Sequence, residues 1–129
     1  QNVILPMDFA HSYPPAERKG RAMALLELVG LADQADKLPG MVSGGQQQRA
    51  AIARALANDP PIIIGDEMTG DLDSETGFEV MRLVRRLNQE QGKTVVFVTH
   101  DPRMSDFSDR VITMLDGKID REEHKNGSA

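Results

Sequence analysis

Two short, wholly apolar, β-branched runs constrain this chain most. Ile62-Ile63-Ile64 stands between the breakers Asn58-Asp59-Pro60-Pro61 and the acid pair Asp66-Glu67, and Thr94-Val95-Val96-Phe97-Val98-Thr99 follows later. Between them, Ser74 to Gln91 places Val80, Leu83, Val84 and Leu87 at helical spacing. Ser74 is placed to cap that helix and Gly92 to end it. A strand, a helix and a strand in that order argue for parallel pairing with a crossover helix. Uninterrupted apolar strands of this kind are expected to be buried on both faces.

The first half reads as helical. Ala16 to Val29 carries Ala22, Leu25, Leu26 and Val29 at i, i+3, i+4 and i+7, with Gly30 placed as the C-terminal stop. Tyr13-Pro14-Pro15 and Leu38-Pro39-Gly40 are breaks. Gln46 to Ala57 is Ala-rich, with Ile52 its only β-branched residue, which favours helix. The opening Gln1-Asn2-Val3-Ile4-Leu5-Pro6-Met7 starts in mid-pattern, without a capping residue, and reads as the start of a fragment. Near the other end, Arg110 to Leu115 and Lys118 to Asp120 flank Asp116-Gly117, the signature of a hairpin with a two-residue turn. The polar stretch from Arg121 onward is expected to fray. The sequence therefore divides into a helical part (1–58), an α/β part (59–121) and a polar tail (122–129).

Composition narrows the function. The 129 residues carry a net charge of −5, with 40% apolar and 27% charged residues and no Cys. That is the balance of a folded globular chain rather than a disordered one. Absence of Cys excludes a disulfide scaffold, a thiolate zinc site and cysteine nucleophile chemistry, and fits a cytosolic setting. No apolar stretch approaches the roughly 20 residues of a membrane helix, and no secretory leader pattern is visible. The acidic balance argues against a dedicated nucleic-acid binder, which needs a basic patch.

Three constellations carry chemistry. Asp66-Glu67 follows the first strand, at the carboxyl end where open α/β sheets place ligands. One acid there can hold a hydrated Mg²⁺ while the other polarises an attacking water, although a solvated loop start would use the same residues. His100, ending the second strand, lies on the same sheet edge and can exchange a proton or hydrogen-bond a phosphate. Ser43-Gly44-Gly45-Gln46 precedes a helix. Paired glycines let backbone N–H groups approach an anion, and the serine adds a donor, while an ordinary N-cap at Ser43 explains the same residues. Asp73 either caps the next helix or reaches across an interface. Gly92-Lys93-Thr94 resembles the end of a P-loop, but Leu87 stands where that pattern needs Gly, and the segment runs helix to strand. A strand of that length puts Lys93 roughly 15–20 Å from the acid edge. Asn126-Gly127-Ser128 matches a glycosylation acceptor, which nothing else supports.

Together these motifs resemble the ATP-binding cassette (ABC) ATPases. Val42-Ser43-Gly44-Gly45-Gln46-Gln47-Gln48-Arg49 is similar to the signature motif, Ile62 to Glu67 to the Walker B strand, Gly70-Asp71-Leu72-Asp73 to the D-loop, and His100 to the switch histidine. All four occur in the family's order. Asn2-Val3-Ile4-Leu5-Pro6, the triple Gln and Leu72 to Gly77 are most similar to the lipoprotein-releasing and macrolide-exporter branch. The resemblance implies an α/β fold: a partial P-loop NTPase (RecA-like) core with the ABC helical subdomain, lacking the P-loop strand. It implies a subunit that hydrolyses ATP with Mg²⁺, pairs head to tail with a second ATPase subunit, and drives membrane-spanning permease chains from the inner face of the membrane. Asp66 would help hold Mg²⁺, Glu67 would activate the water and His100 would contact the γ-phosphate. Ser43, Gly44 and Gly45 would contact the partner's nucleotide, Gln46 would support their loop, and Asp73 would act across the dimer.

The chain departs from the family pattern at Met68, where Pro is usual, at Val42, where Leu is usual, and at Asp71, where Ala or Asn is commoner. No P-loop or Q-loop precedes the signature motif, so the chain reads as the second half of such a domain. Two other readings stay open: a truncated interaction module that dimerises without hydrolysing, and an ABC ATPase outside transport. The short Ser74–His100 stretch and the acidic charge speak against the latter. An unpaired apolar edge beside the second strand is expected to make the isolated polypeptide self-associate.

Overall fold

The computed structural model describes residues 1–125, so Asn126-Gly127-Ser128 lies outside the described residues. Among the described residues, four α-helices and four strands run in the order α1 (Leu5–Ala10), α2 (Pro15–Leu28), α3 (Gly44–Ala55), β1 (Ile62–Asp66), α4 (Ser74–Gln91), β2 (Thr94–Val98), β3 (Arg110–Leu115) and β4 (Lys118–His124). Short 3-10 turns at Ala32–Gln34, Pro39–Met41 and Pro102–Phe107 fill the connections. The helical first half and α/β second half are as expected. The short α1 was not foreseen, because six residues give too little periodicity to read. Its buried Met7, with Val3 just before it, joins the core.

β1 and β2 pair in parallel, from Ile62 opposite Thr94 to Asp66 opposite Val98, with α4 as the crossover. The core lies between α4 and the other helices. Val80, Met81, Leu83, Val84 and Leu87 of α4 are buried, along with Ala22, Leu25 and Val29 from the α2 region, Ile52 and Ala53 from α3, and Ile63 from β1. Each large apolar side chain so buried contributes about 1.5–3 kcal/mol. Arg21 ties α2 to the end of α3 by donating to the carbonyls of Ala57 (2.9 Å) and Leu56 (3.2 Å). Both carbonyls lie where the helix stops and run out of intrahelical donors, and that of Leu56 also accepts from the Asp59 amide at 2.9 Å.

Burial of both strand faces does not hold. Ile63 and Gly65 point inward, while Ile64 is 76% and Val98 57% exposed, with Ile62 and Val96 also on the open side. Strand side chains alternate between faces, and α4 covers only one of them.

At the C-terminal end, β3 and β4 form the expected hairpin. Asp116 (φ 50°) and Gly117 (φ 77°) both take the positive φ that a type I′ turn needs. The fraying expected from Arg121 is corrected: β4 continues to His124, and Arg110 Nε donates to Glu122 Oε1 across the ladder at 2.6 Å. The backbone ladder with β3 holds a strand that has no apolar alternation to reveal it, and the exposed ion pair adds little.

Candidate functional site

The parallel register decides what meets at the sheet edge. Asp66 ends β1 beside Val98, and the Glu67 amide donates to the Val98 carbonyl at 2.8 Å, so the chain leaving β2 brings His100 directly over Glu67. Glu67 has a φ of 49°, uncommon for a residue with a side chain. The Gly70 amide closes the turn on the Glu67 carbonyl at 3.1 Å. This geometry aims the carboxylate at the histidine: His100 Nδ1 lies 2.7 Å from Glu67 Oε1. Both side chains remain open to solvent, as does Asp66, so the edge is an accessible shelf.

The hydrogen bond to Glu67, reinforced by its charge, raises the His100 pKa above the ordinary imidazole value. A raised folded-state value means that the pair's contribution is fully present below the unfolded-state pKa. It is lost as pH rises through the folded-state value. An NMR titration should therefore give His100 a higher midpoint in the folded chain than in the chain unfolded by urea, and Glu67→Gln should bring the folded midpoint down. Equal midpoints in folded and unfolded chains would contradict the pairing.

Met68, the departure after the acid pair, folds back onto Gly65: a Cβ on Gly65 would collide with the Met68 side chain. Glycine in β1 thus makes room for a flexible thioether that fills the space beneath the loop.

Ser43 and Gln46 form a reciprocal cap at the start of α3. The Gln46 amide donates to Ser43 Oγ at 3.2 Å, and the Ser43 amide donates to Gln46 Oε1 at 3.0 Å. Gly44 is exposed and Gly45 buried. Capping of α4 falls to Asp73, which accepts from the Thr76 amide at 3.3 Å, and not to Ser74 as expected. Hydrogen bonding from Thr76 holds the Asp73 carboxyl below its ordinary pKa. Lys93, as expected, lies before β2 at the end opposite His100, where it is buried in an ion pair with Asp59.

Two features were not legible beforehand. One is the direct Glu67–His100 contact. The other is Arg103, which grips the Asp101 carboxylate and donates to Ser74 Oγ at 3.0 Å, fastening the segment after His100 to the start of α4. Asp101-Pro102 after the strand signalled a turn there but not its arginine clasp.

A strand-end acid, a paired histidine just beyond the neighbouring strand and a capped Ser-Gly-Gly loop stand in one chain. The model of the ABC transporter family matches residues 2–70. The chain belongs to the ABC transporter family. Among its relatives, the ABC transporter ATP-binding protein MJ0796 of Methanocaldococcus jannaschii is 49% identical over 98% of this chain and 55% of its own length. A macrolide export ATP-binding/permease protein, MacB 1/2 of Paracoccus denitrificans, is 50% identical over 92% of this chain and 17% of its own. The solved dimeric structure of a post-hydrolysis state of the MJ0796 cassette, bound to ADP and Pi, superposes with a TM-score of 0.80 at 48% identity, covering 97% of this chain and 55% of that one. The α/β ABC cassette fold is thereby established. This ABC chain spans about half the length of the archaeal relative it matches. No helix among its described residues is long and apolar enough to cross a membrane.

Proposed function

We propose that the chain supplies the water-activating edge and the signature loop of an ABC ATPase subunit, which hydrolyses ATP to drive transport across a membrane. The observation that carries this reading is the Glu67–His100 pair at the carboxyl end of two parallel strands, with Asp66 beside it. Glu67 is an exposed carboxylate, so it can take a proton from an attacking water. His100, held by Glu67, presents its other ring nitrogen to a phosphate oxygen. Phosphoryl transfer asks for this kind of positioning and charge neutralisation more than for covalent chemistry.

Asp66 fits a Mg²⁺ ion. Magnesium takes one or two carboxylates and completes its shell with phosphate oxygens and water, and the described residues hold no cluster of three or more His, Cys, Asp or Glu that would suit a wholly protein-made site. Once bound, Mg²⁺ would neutralise phosphate charge. Ser43, Gly44 and Gly45 face the nucleotide of a second ATPase subunit, Gln46 holds that loop through the cap, and Asp73 lies at the dimer contact. Permease chains complete the transporter, and the subunit sits peripherally on the cytoplasmic face of the membrane. Support for the dimer comes from the solved MJ0796 cassette, and support for the permease from the macrolide export relative.

Residues 1–129 contain no Gly-x-x-x-x-Gly-Lys-Ser/Thr segment. As an isolated polypeptide they are expected to show no ATP turnover, and to associate through the unpaired edge of β2, with the exposed apolar face at Ile62, Ile64, Val96 and Val98 beside it. Turnover is expected when the same residues follow a segment that carries a P-loop. Phosphate release compared between the two polypeptides, with light scattering on the shorter one, checks both. Turnover from the short polypeptide would defeat the first expectation, and a monodisperse monomer the second. No turnover from the longer one would defeat the functional reading.

A further inference from the structure

The first turns of α3 and α4 interlock. Gly45 is buried at the start of α3, and a Cβ added to it would run into the Cγ2 methyl of Thr76. A Cβ on Gly44 would lie 3.2 Å from Leu72 Cδ2, already tight. In the same α4 turn, Gly77 is also buried, and its Cβ would come within 3.3 Å of the Thr69 Cβ. The Thr76 amide is meanwhile tied to Asp73. One helical turn is thus wedged between the Ser43–Gln46 loop and the Met68–Gly70 loop that follows Glu67. Threonine suits the place because its branched methyl sits one bond from Cβ and has few rotamers to escape into.

We propose that Thr76, with Leu72, is a positioning residue that sets the seat of the Ser43–Gln46 loop on the Gly70–Asp73 loop, so that the two shift as one body. On this account, position 45 is glycine because Thr76 occupies the space of its side chain, a demand separate from any anion that the loop's backbone meets. The functional half of this inference rests on the reading of Ser43–Gln46 as a nucleotide-facing loop; the packing half stands without that reading.

Three variants test it: Gly45→Ala, Thr76→Ser, which removes the methyl, and the two combined. Thermal unfolding of the chain reads the packing, and ATP-driven dimerisation of the intact subunit reads the positioning. Overpacking by Gly45→Ala is expected to lower Tm by about 5–10 °C. It should weaken dimerisation about tenfold while ATP binding by the monomer stays level. Adding Thr76→Ser should restore most of both losses. Thr76→Ser alone should loosen dimerisation about threefold, and it serves as the test should Gly45→Ala fail to fold. A Tm unaffected by Gly45→Ala, or not recovered in the double variant, overturns the wedge. Recovery of Tm without recovery of dimerisation, or a Thr76→Ser variant that dimerises normally, overturns the positioning role. Loss of Tm with dimerisation intact in every variant removes the nucleotide-facing reading of the loop, and the positioning role with it, while the packing contact stands.

Discussion

Glu67→Gln in the intact subunit is expected to cut ATP turnover about 10²–10⁴-fold, the usual cost of losing a catalytic base, with ATP binding retained. The substitution keeps the shape of the side chain and leaves an oxygen near His100 Nδ1, now 2.7 Å from a carboxylate. What disappears is the negative charge that is proposed to accept a proton from water and that raises the pKa of His100. Steady-state phosphate release measures the loss, and nucleotide binding to the same preparation shows whether the site survives. Normal turnover would remove Glu67 from the chemistry. Loss of binding together with turnover would make it a structural residue, its left-handed backbone being the feature that the substitution disturbed.

Gly44→Asp is expected to leave ATP binding by the monomer intact and to weaken ATP-driven dimerisation by at least about a hundredfold, near 3 kcal/mol. Gly44 is exposed at the start of α3, where backbone amides favour an anion. A carboxylate there would oppose the phosphate that the loop is proposed to meet on the partner. Its Cβ would also press on Leu72, since only 3.2 Å separates the two positions. Sedimentation or light scattering with a non-hydrolysed nucleotide reads the dimer, and calorimetry reads monomer binding. A collapse of monomer binding would show that the loop serves its own subunit's nucleotide and would overturn the assignment across the dimer.

Local pattern set a good deal of this molecule in advance. The apolar period of Val80, Leu83, Val84 and Leu87 made α4 and chose its buried face. Asp116-Gly117 made a hairpin turn because both residues tolerate positive φ. Once two β-branched runs flanked a helix, parallel pairing followed, and with it the gathering of Asp66, Glu67 and His100 at one sheet edge and the banishment of Lys93 to the other. These outcomes depend on backbone preferences and on periodicity within a few residues, which are written into the chain order. The tertiary structure decided the rest. It left one strand face bare, because α4 can cover only one side of a two-stranded sheet. It turned the Glu67 backbone left-handed so that the carboxylate meets His100, seated Met68 on Gly65, brought the Arg103 clasp to Ser74, and filled the space above Gly45 with Thr76. Such contacts join residues far apart in sequence. Their partners are chosen by which helix turns lie close enough to collide, and no period along the chain carries that distance.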